Sequence, residues 1–244
     1  MMSKICGHRG AVNYKPENTM SGSEWRVSNN IEWAECDVQL TDENILLIIH
    51  DDTLERTADT NGLVKKITKK QLETINVGVS NSKEKNFQKI PTLEELLKFC
   101  KSSGLKLNIE MKFYDLIKLS YRKRLVNELL KTIEKTKSNN QVLITSFDIN
   151  ALEILRKKSS DIPIGILYEN LPKNWAKSAT DLKVTSIHLD YNFLTFEKLN
   201  QIHKLNIKSF VYTCNNPSEI KLFWDAGLSG VITDDPLRFK DSKK

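Results

Sequence analysis

The sequence predicts an α/β fold, a (β/α)8 TIM barrel with a small insertion after the second strand. Short β-rich runs alternate with helical patterns along nearly all of the 244 residues, and eight such strands are recognisable. A doubly wound sheet is less well supported, because no GxGxxG-type turn follows the first strand. The alternation therefore favours a closed barrel of parallel strands.

The predicted strands and helices follow one another in chain order. The strands are predicted at Lys4–His8, Ile31–Leu40, Leu105–Lys112, Gln141–Ser146, Ile162–Tyr168, Val184–Asp190, Ile207–Thr213 and Gly230–Thr233. The helices are predicted at Glu17–Ser28, Thr92–Lys101, Asp115–Lys137, Ile149–Lys158, Pro172–Ala179, Phe196–Lys204 and Pro217–Ala226. Asp148 and Asn216 can cap the helices that follow them, and Gly104 and Gly227 can end the helices before them.

One segment interrupts the alternation of strands and helices. From Asp51 to Ile90 the chain is polar and punctuated by glycine and asparagine, and an additional apolar run, Ile45–His50, precedes it. This segment is too long for a simple βα loop. We therefore predict a single barrel domain over residues 1–244, with a small inserted subdomain at residues 51–90.

The composition is that of an ordinary globular protein, with 39% hydrophobic and 28% charged residues. The net charge is +6, but the lysines are scattered through helix-like segments, which favours a solvated face over a nucleic-acid site. The longest aliphatic run, Ile45–Ile49, is far shorter than the roughly 20 residues of a membrane span. We therefore expect no nucleic-acid partner and no stable membrane insertion, while homo-oligomerisation stays open.

The cysteines indicate a reducing environment. Cys6, Cys36, Cys100 and Cys214 are dispersed in apolar surroundings and form no CxxC pair. This pattern is typical of buried reduced thiols rather than of disulfides or a zinc site. The first polar motif already begins at His8, which leaves no room for a signal peptide before it. We therefore expect a cytoplasmic protein.

Acidic side chains collect at the predicted carboxyl ends of two strands, where barrels of this type carry their functional residues. Glu35 and Asp37 share one face of the second strand, because alternate residues of a strand point the same way. Glu110 and Lys112 likewise share one face of the next parallel strand. Three carboxylates in one barrel mouth would be costly to desolvate and would repel one another.

A bound cation would remove this repulsion. Oxygen ligands without cysteine or clustered histidine favour a hard ion, so we predict one divalent cation, Mg²⁺ or Ca²⁺. The alternative is a structural network in which Arg9 and Lys112 neutralise the acids. Two basic residues facing three acids leave an excess of negative charge, which favours the metal.

Two histidines also end strands. His8 and His50 can divide the roles of base and acid, because neutral and protonated imidazole are both accessible near neutral pH. Arg9 and Lys112 add the fixed positive charge that an anionic phosphoryl group requires. No GxSxG elbow or P-loop is present. These residues together predict phosphodiester cleavage.

Two further residues have more than one interpretation. His188 shares a predicted strand face with Ser186 and Asp190, so it either reaches the substrate or is a hydrogen-bonded core histidine. Asp51 either orients His50 or caps the turn that follows it.

At this point the sequence resembles the glycerophosphodiester phosphodiesterases. Eleven pieces carry the resemblance, and they run in order from residue 8 to residue 236. They are His8–Gly10, Pro16–Thr19, Glu35–Asp37, Thr41–Asp42, His50–Asp51, Leu54–Thr57, Ile90–Leu96, Ile109–Lys112, Ser146–Phe147, Val211–Asn215 and Gly230–Pro236.

The resemblance implies a barrel enzyme that hydrolyses a small-molecule glycerophosphodiester to sn-glycerol 3-phosphate and an alcohol, by way of a cyclic phosphate. By similarity, the divalent metal is bound by Glu35, Asp37 and Glu110. His8 and His50 serve as general acid and base, in an order that the sequence leaves open. The insertion corresponds to a small subdomain that shapes the mouth of the site.

The same resemblance implies a set of substrate-binding residues. Arg9 and Lys112 hold the phosphate, and Glu17 supports the site near the histidines. Phe147 and Tyr212 line the substrate pocket. The family often has tryptophan where this chain has Tyr212, a departure that concerns contacts to the glycerol or the alcohol rather than the chemistry.

Two rival functions remain. A lysophospholipase D-like phosphodiesterase acting on lipids would use the same residues, but it would require an apolar entrance. Residues 76–90 are polar, with Phe87 nearly alone. A non-catalytic phosphate-binding module would retain the barrel but would be expected to lack one of the histidines or acids, and every expected position is filled.

Overall fold

The computed structural model describes residues 2–81, 86–114 and 118–241 and confirms the predicted barrel. These residues form the strands β1 (Ile5–Gly7), β2 (Trp33–Leu40), β3 (Leu46–Ile48), β4 (Lys106–Met111), β5 (Val142–Ser146), β6 (Ile164–Tyr168), β7 (Ser186–Asp190), β8 (Lys208–Tyr212) and β9 (Gly230–Thr233). Eight strands pair in parallel in the order β1-β9-β8-β7-β6-β5-β4-β2. The parallel pairing of β1 with β2 closes the barrel.

Helices follow the barrel strands. The α-helices are α1 (Met20–Ser28), α2 (Lys69–Leu72), α3 (Leu93–Ser103), α4 (Leu119–Thr136), α5 (Ile149–Lys158), α6 (Trp175–Asp181), α7 (Phe196–His203), α8 (Lys221–Asp225) and α9 (Pro236–Asp241). Short 3₁₀ helices cover Val64–Lys66, Gly78–Ser80, Asn139–Gln141, Tyr191–Phe193 and Pro217–Ile220.

Local chemistry explains where the helices begin and end. The first helix begins three residues later than predicted, because Asn18 has a φ of 56° and the Thr19 side chain caps the helix by accepting from the Gly22 amide. The predicted caps Asp148 and Gly104 are confirmed. Residues 115–117 of the helix predicted at Asp115–Lys137 lie outside the described residues, and the helix predicted at 217–226 is divided into a 3₁₀ turn and α8.

The outer faces of the strands form the main core. Val38, Leu40, Ile109 and Met111 are almost completely buried in one cluster with the apolar faces of α3 and α4. Because side chains alternate along a strand, the residues between them point into the barrel. The predicted orientation of Glu35, Asp37 and Glu110 follows from this alternation.

The interior of the barrel, toward the amino ends of its strands, is filled by side chains. Met2 and residues of five strands form one apolar cluster, consisting of Met2, Cys6, Trp33, Leu143, Phe210 and Ile232. A buried polar layer includes Asn108, which accepts a hydrogen bond from the Thr145 hydroxyl at 2.9 Å. His188 also lies in the interior, with Nε2 2.8 Å from the Ser186 hydroxyl. Burial lowers the pKa of His188 to about 3, so it is a neutral core histidine.

The inserted segment has a small hydrophobic core of its own. Strand β3 is antiparallel to β2 and leads into this segment. A second cluster of buried residues joins β3 to it and comprises Leu47, Ile49, Leu54, Val64, Ile67, Leu72, Ile75, Val77 and Ile90. Because this core is distinct from the barrel core, the segment can hold a defined shape beside the barrel mouth.

Two other sequence expectations bear on the environment of the protein. The four cysteines are all buried and free, as predicted. Within the described parts of the chain, no helix is both long enough and apolar enough to cross a membrane.

Candidate active site

Three carboxylates meet at the carboxyl ends of β2 and β4. Asp37 and Glu110 are direct neighbours in the register of these strands, and Glu35 lies one inward-facing position before Asp37. Each residue offers an oxygen that lies within 4.8 Å of those of the other two. Glu35 and Asp37 are buried, and the Glu110 side chain is only 12% exposed. The predicted acidic cluster is therefore present in the fold.

The acids carry more negative charge than their surroundings neutralise. Burial, together with the charges of Asp37 and Glu110, raises the pKa of Glu35 well above its usual range. Burial also raises the pKa of Glu110 to about 7, although Lys112 opposes this shift. Burial acts in the same direction on Asp37, but Lys112 and Arg9 outweigh it and lower the pKa of that carboxyl. A cluster of oxygen donors with uncompensated charge fits a hard divalent cation.

Arg9 and Lys112 flank the carboxylates. The Arg9 amide donates to Glu35 Oε2 at 2.8 Å, and its Nε lies 3.5 Å from Asp37 Oδ2. Lys112 Nζ donates to Glu110 Oε1 at 2.7 Å and lies 3.7 Å from Asp37 Oδ1. Both basic residues therefore border the same small volume as the three acids.

The loop after β1 places Arg9 by an unusual backbone turn. Arg9 has a φ of 44° and Gly10 a φ of 88°, which are both left-handed values. Beneath this loop the fully buried Arg26 donates from Nε to the Gly10 carbonyl, and from Nη1 to the Trp33 carbonyl at 2.7 Å. A Cβ at Gly7 would overlap the Arg26 guanidinium, which explains a glycine at the end of β1.

His50 is held on both ring nitrogens. Its Nδ1 is 2.6 Å from Asp51 Oδ1, and its Nε2 is 3.2 Å from Lys112 Nζ. Lysine only donates, so this contact requires Nε2 to be the acceptor and Nδ1 to carry the proton donated to Asp51. Burial is the largest influence on the pKa of His50 and lowers it below its usual value.

The backbone that carries His50 is fixed from the barrel. The side-chain amide of Gln39, at the end of β2, donates to the carbonyls of Ile49, His50 and Asp51 at 3.1, 2.9 and 2.6 Å. The Tyr114 hydroxyl also donates to the His50 carbonyl. The backbone that carries the imidazole is therefore held by hydrogen bonds from two side chains, Gln39 and Tyr114.

His8 has a carboxylate partner from the other end of the chain. Its Nδ1 is 2.7 Å from Asp234 Oδ1, just after β9. Asn215 donates from Nδ2 to Asp234 Oδ2 at 2.7 Å and accepts from the Asp234 amide at 2.9 Å. The closure of the barrel between β1 and β9 thus builds a second His–Asp pair at this rim.

Glu17 lies beside the basic groups rather than directly against the histidines. It accepts from Arg9 Nη1 at 3.1 Å and from two nitrogens of Arg56 at 2.6 and 2.9 Å. Burial would raise the pKa of Glu17, but the hydrogen bond from Arg56 and the charge of Arg9 lower it. Through Arg56, Glu17 is connected to Asp51 and hence to His50.

Phe147 and Tyr212 form an aromatic pair at the ends of β5 and β8. Their rings meet edge to face, with centroids 5.9 Å apart and planes at 85°. The Tyr212 hydroxyl donates to the Tyr168 carbonyl at 3.0 Å, while Phe147 is 49% exposed. The predicted pocket residues therefore contact one another on the rim that carries the polar cluster.

Sequence reasoning gave no role to several residues that the fold brings into contact with the cluster. Asn18 donates to Asp37 Oδ2 at 2.9 Å, and Arg56, Asn215 and Asp234 hold other site residues. All four lie inside the pieces that carry the family resemblance, which was the available signal. Gln39 lies outside those pieces, and nothing in the sequence indicated its three contacts.

Comparisons with known proteins show the family of this chain. The model of the glycerophosphoryl diester phosphodiesterase family matches residues 8–238. A glycerophosphodiester phosphodiesterase of Caldanaerobacter subterraneus is 28% identical over 97% of this chain and 96% of its own length. One from Bacillus altitudinis is 30% identical over 97% of this chain and 96% of its own length.

A solved structure is similar over the whole fold. It is an Oleispira antarctica phosphodiesterase in complex with the product sn-glycerol-3-phosphate, with a TM-score of 0.93 and 25% identity. The match covers 99% of this chain and 97% of the other. Since the family model spans almost the whole sequence, the chain belongs to the glycerophosphoryl diester phosphodiesterase family.

Proposed function

We propose that this enzyme hydrolyses glycerophosphodiesters to sn-glycerol 3-phosphate and an alcohol, with the help of one divalent cation. One observation carries the proposal. Three carboxylates, the basic side chains of Arg9 and Lys112, and two imidazoles that each contact an aspartate lie together at the rim formed by the carboxyl ends of the barrel strands. The Oleispira antarctica relative, which binds sn-glycerol-3-phosphate, supports the product assignment.

Glu35, Asp37 and Glu110 would hold the cation, Mg²⁺ or Ca²⁺. Their donor atoms are all oxygens, and the pKa values of Glu35 and Glu110 are raised first by burial and then by the negative charge of the neighbouring carboxylates. When bound, the ion would offset this charge and polarise the phosphoryl group toward attack.

His50 acts as the general base in this proposal. Its Nε2 is an acceptor, because Lys112 donates to it, and the N–H of Nδ1 donates a hydrogen bond to Asp51. Nε2 can therefore remove the proton of the attacking glycerol hydroxyl, which then forms a bond to phosphorus and yields a cyclic phosphate. Asp51 would stabilise the imidazolium that results.

His8 acts as the general acid. Its Nδ1 pairs with Asp234, which leaves Nε2 as the nitrogen that donates a proton to the oxygen of the leaving alcohol. Water would then open the cyclic phosphate with the two histidines in exchanged roles. The result is sn-glycerol 3-phosphate and a free alcohol.

The remaining site residues bind and orient the substrate. Arg9 and Lys112 would hold the negative phosphate oxygens, since both border the acidic cluster with their charged ends. The exposed ring of Phe147 and the face of Tyr212 would pack against the glycerol or the alcohol.

We also propose that the chain is one barrel domain with residues 51–90 as an inserted subdomain that shapes the site's mouth. The separate apolar cluster around Leu54 and Val64 supports this division. The four free, buried thiols support a reducing compartment such as the cytoplasm.

Release of sn-glycerol 3-phosphate from several glycerophosphodiesters, measured with Mg²⁺, Ca²⁺ or EDTA, tests the proposal. We expect activity with a divalent ion and its loss in EDTA. Glu110→Ala should raise the metal concentration for half-maximal activity at least about tenfold, because one of three charged ligands is lost.

Glu24→Ala, which changes an exposed glutamate of α1, is the matched control and should behave as wild type. Full activity in EDTA would refute the metal dependence. Turnover of lysophospholipids but of no water-soluble glycerophosphodiester would favour the lipid-directed alternative.

A further inference from the structure

Arg56, in the inserted segment, makes four hydrogen bonds to two carboxylates of the site. Its Nε and Nη2 donate to Asp51 Oδ2 and Oδ1 at 2.6 and 2.9 Å. Its Nη1 and Nη2 donate to Glu17 Oε2 and Oε1 at 2.6 and 2.9 Å. We propose that Arg56 is a positioning residue that orients His50 through Asp51 and Arg9 through Glu17, an inference that rests on the proposed phosphodiesterase function.

The first arm of this arrangement reaches the general base. Asp51 Oδ1 accepts hydrogen bonds from both Arg56 Nη2 and His50 Nδ1, so the plane of the carboxylate is fixed relative to the imidazole. The bond from Arg56 is the largest of the influences that lower the pKa of Asp51 to about 2. Asp51 is therefore ionised near neutral pH and accepts from His50 Nδ1, which leaves Nε2 as the accepting nitrogen.

The second arm reaches the phosphate-binding arginine. Glu17 Oε1 accepts from both Arg56 Nη2 and Arg9 Nη1, so the two guanidinium groups are joined through one carboxylate. The group contains two acids and two arginines and is balanced in charge. Without Arg56, Glu17 and Asp51 would keep only Arg9 and His50 as partners. One negative charge close to the proposed phosphate position would then be uncompensated and would repel an anionic substrate.

Only arginine can serve both arms at once. The planar guanidinium presents several N–H groups in a fixed fork, whereas the lysine ammonium is a single point charge. Arg56→Lys would therefore retain most of the positive charge but could not keep all four bonds. The two consequences of losing Arg56, misplaced groups and uncompensated charge, can be separated by this substitution.

A purely structural role predicts a different outcome. The Arg56 side chain is 48% exposed, and ion pairs at that degree of exposure contribute little to stability. If Arg56 only fastened the inserted segment to the barrel, its removal would change the thermal midpoint slightly and leave kcat and KM unaltered.

The experiment compares Arg56→Met and Arg56→Lys in steady-state hydrolysis of a glycerophosphodiester. Arg56→Met should lower kcat about 10- to 100-fold, because small misplacements of reacting groups are costly. It should also raise KM several-fold through charge repulsion. Arg56→Lys should restore KM to near the wild-type value but leave kcat at least about tenfold low.

Arg156→Lys provides the matched control. This arginine donates to the carbonyls of Leu182 and Ser160 at 2.8 and 2.6 Å, near the end of α5 and thus at the opposite end of the barrel. Its substitution should reduce stability at most and leave kcat and KM at wild-type values.

Binding of inorganic phosphate, measured by calorimetry in the presence of Mg²⁺, separates this inference from the proposed reaction because it needs no turnover. Arg56→Met should weaken phosphate binding and Arg56→Lys should not. Wild-type kcat and phosphate affinity in Arg56→Met, or full recovery of kcat in Arg56→Lys, would overturn the positioning role. Inactive wild-type protein with weakened phosphate binding in Arg56→Met would instead contradict the proposed reaction.

Discussion

The carboxylate that orients His8 follows a barrel strand, whereas the carboxylate that orients His50 belongs to the inserted segment. The partner of His8 is Asp234, 226 residues away in sequence, and it arrives there because β1 and β9 are adjacent strands. Asn215, just after β8, then fixes Asp234 by two hydrogen bonds. Every part of this arrangement follows a barrel strand.

The partner of His50 is its direct neighbour in sequence. Asp51 is oriented by Arg56, five residues further along, and Arg56 is in turn anchored on Glu17 from the loop before α1. Gln39 and Tyr114 both donate to the His50 carbonyl and so tie its backbone to the region of β2 and β4.

This difference suggests how the two proposed catalytic groups can be changed separately. The geometry at His8 depends on closure of the barrel, which cannot vary without loss of the fold. The geometry at His50 depends on a surface segment with its own small core. Sequence changes in the insertion can therefore alter the proposed base while leaving the proposed acid unaffected.

Removal of either imidazole should have the largest effect on kcat. His8→Ala and His50→Ala should each lower kcat about 100- to 10,000-fold, as expected for loss of a general acid or base. His203→Ala is the control, because His203 lies on α7 and contacts Ser209. Near-wild-type turnover in either site variant, with an unchanged circular dichroism spectrum, would remove that histidine from the mechanism.

Substitution of the two carboxylate partners should have a smaller effect on kcat. In Asp234→Asn the new amide oxygen would accept from Asn215, so the NH₂ group would turn toward His8. In Asp51→Asn the amide oxygen would accept from Arg56 Nε, and the NH₂ group would face His50 Nδ1 and Arg56 Nη2. That would favour the wrong tautomer of the ring and lower kcat about 10- to 100-fold.

Steady-state kinetics of Asp234→Asn and Asp51→Asn would measure both effects. An unchanged kcat in one variant but not in the other would show that only one of the two histidines depends on its carboxylate.

The smallest expected effect is on the free energy of unfolding at low pH. The folded-state pKa of Asp51 is lowered to about 2, mainly by Arg56, so its stabilising contribution is present above the ordinary aspartate value and is lost as the pH falls toward 2. Because the Asp51 and Arg56 side chains are 25% and 48% exposed, solvent screens this ion pair, and we expect a contribution to stability of no more than about 1 kcal/mol. Urea unfolding of wild type and Arg56→Met should therefore differ most above about pH 4 and converge below it.

Asp234 provides the internal comparison in this acid test. Its pKa is raised by burial but lowered overall by His8 and Asn215, and Arg56 is not among its contacts. The stability that Asp234→Asn loses, relative to its parent, should therefore depend on pH in the same way in wild type and in the Arg56→Met background. A loss that vanished in that background would contradict the independence of the two arrangements.

Much of the fold and of the acidic cluster was accessible from local patterns. Alternation along β2 and β4 correctly predicted that Glu35, Asp37 and Glu110 face inward, since a period of two is a property of any strand. The start of α1 was predicted too early, because the left-handed conformation of Asn18 arises from its contacts to Asp37. The interpretation of His188 as a core residue required its actual neighbours.

The sequence by itself determined the order of strands and helices, the insertion, the inward-facing acids and the family. Those features depend on periodicity and on short motifs, which each stretch of chain carries independently of the rest. Only the tertiary structure decided that Asp234 meets His8 and that Arg56 joins Asp51 to Glu17. The first contact joins residues 226 positions apart and exists because closure of the barrel brings the ends of β1 and β9 to one rim. The second depends on how the inserted segment lies against the loop before α1.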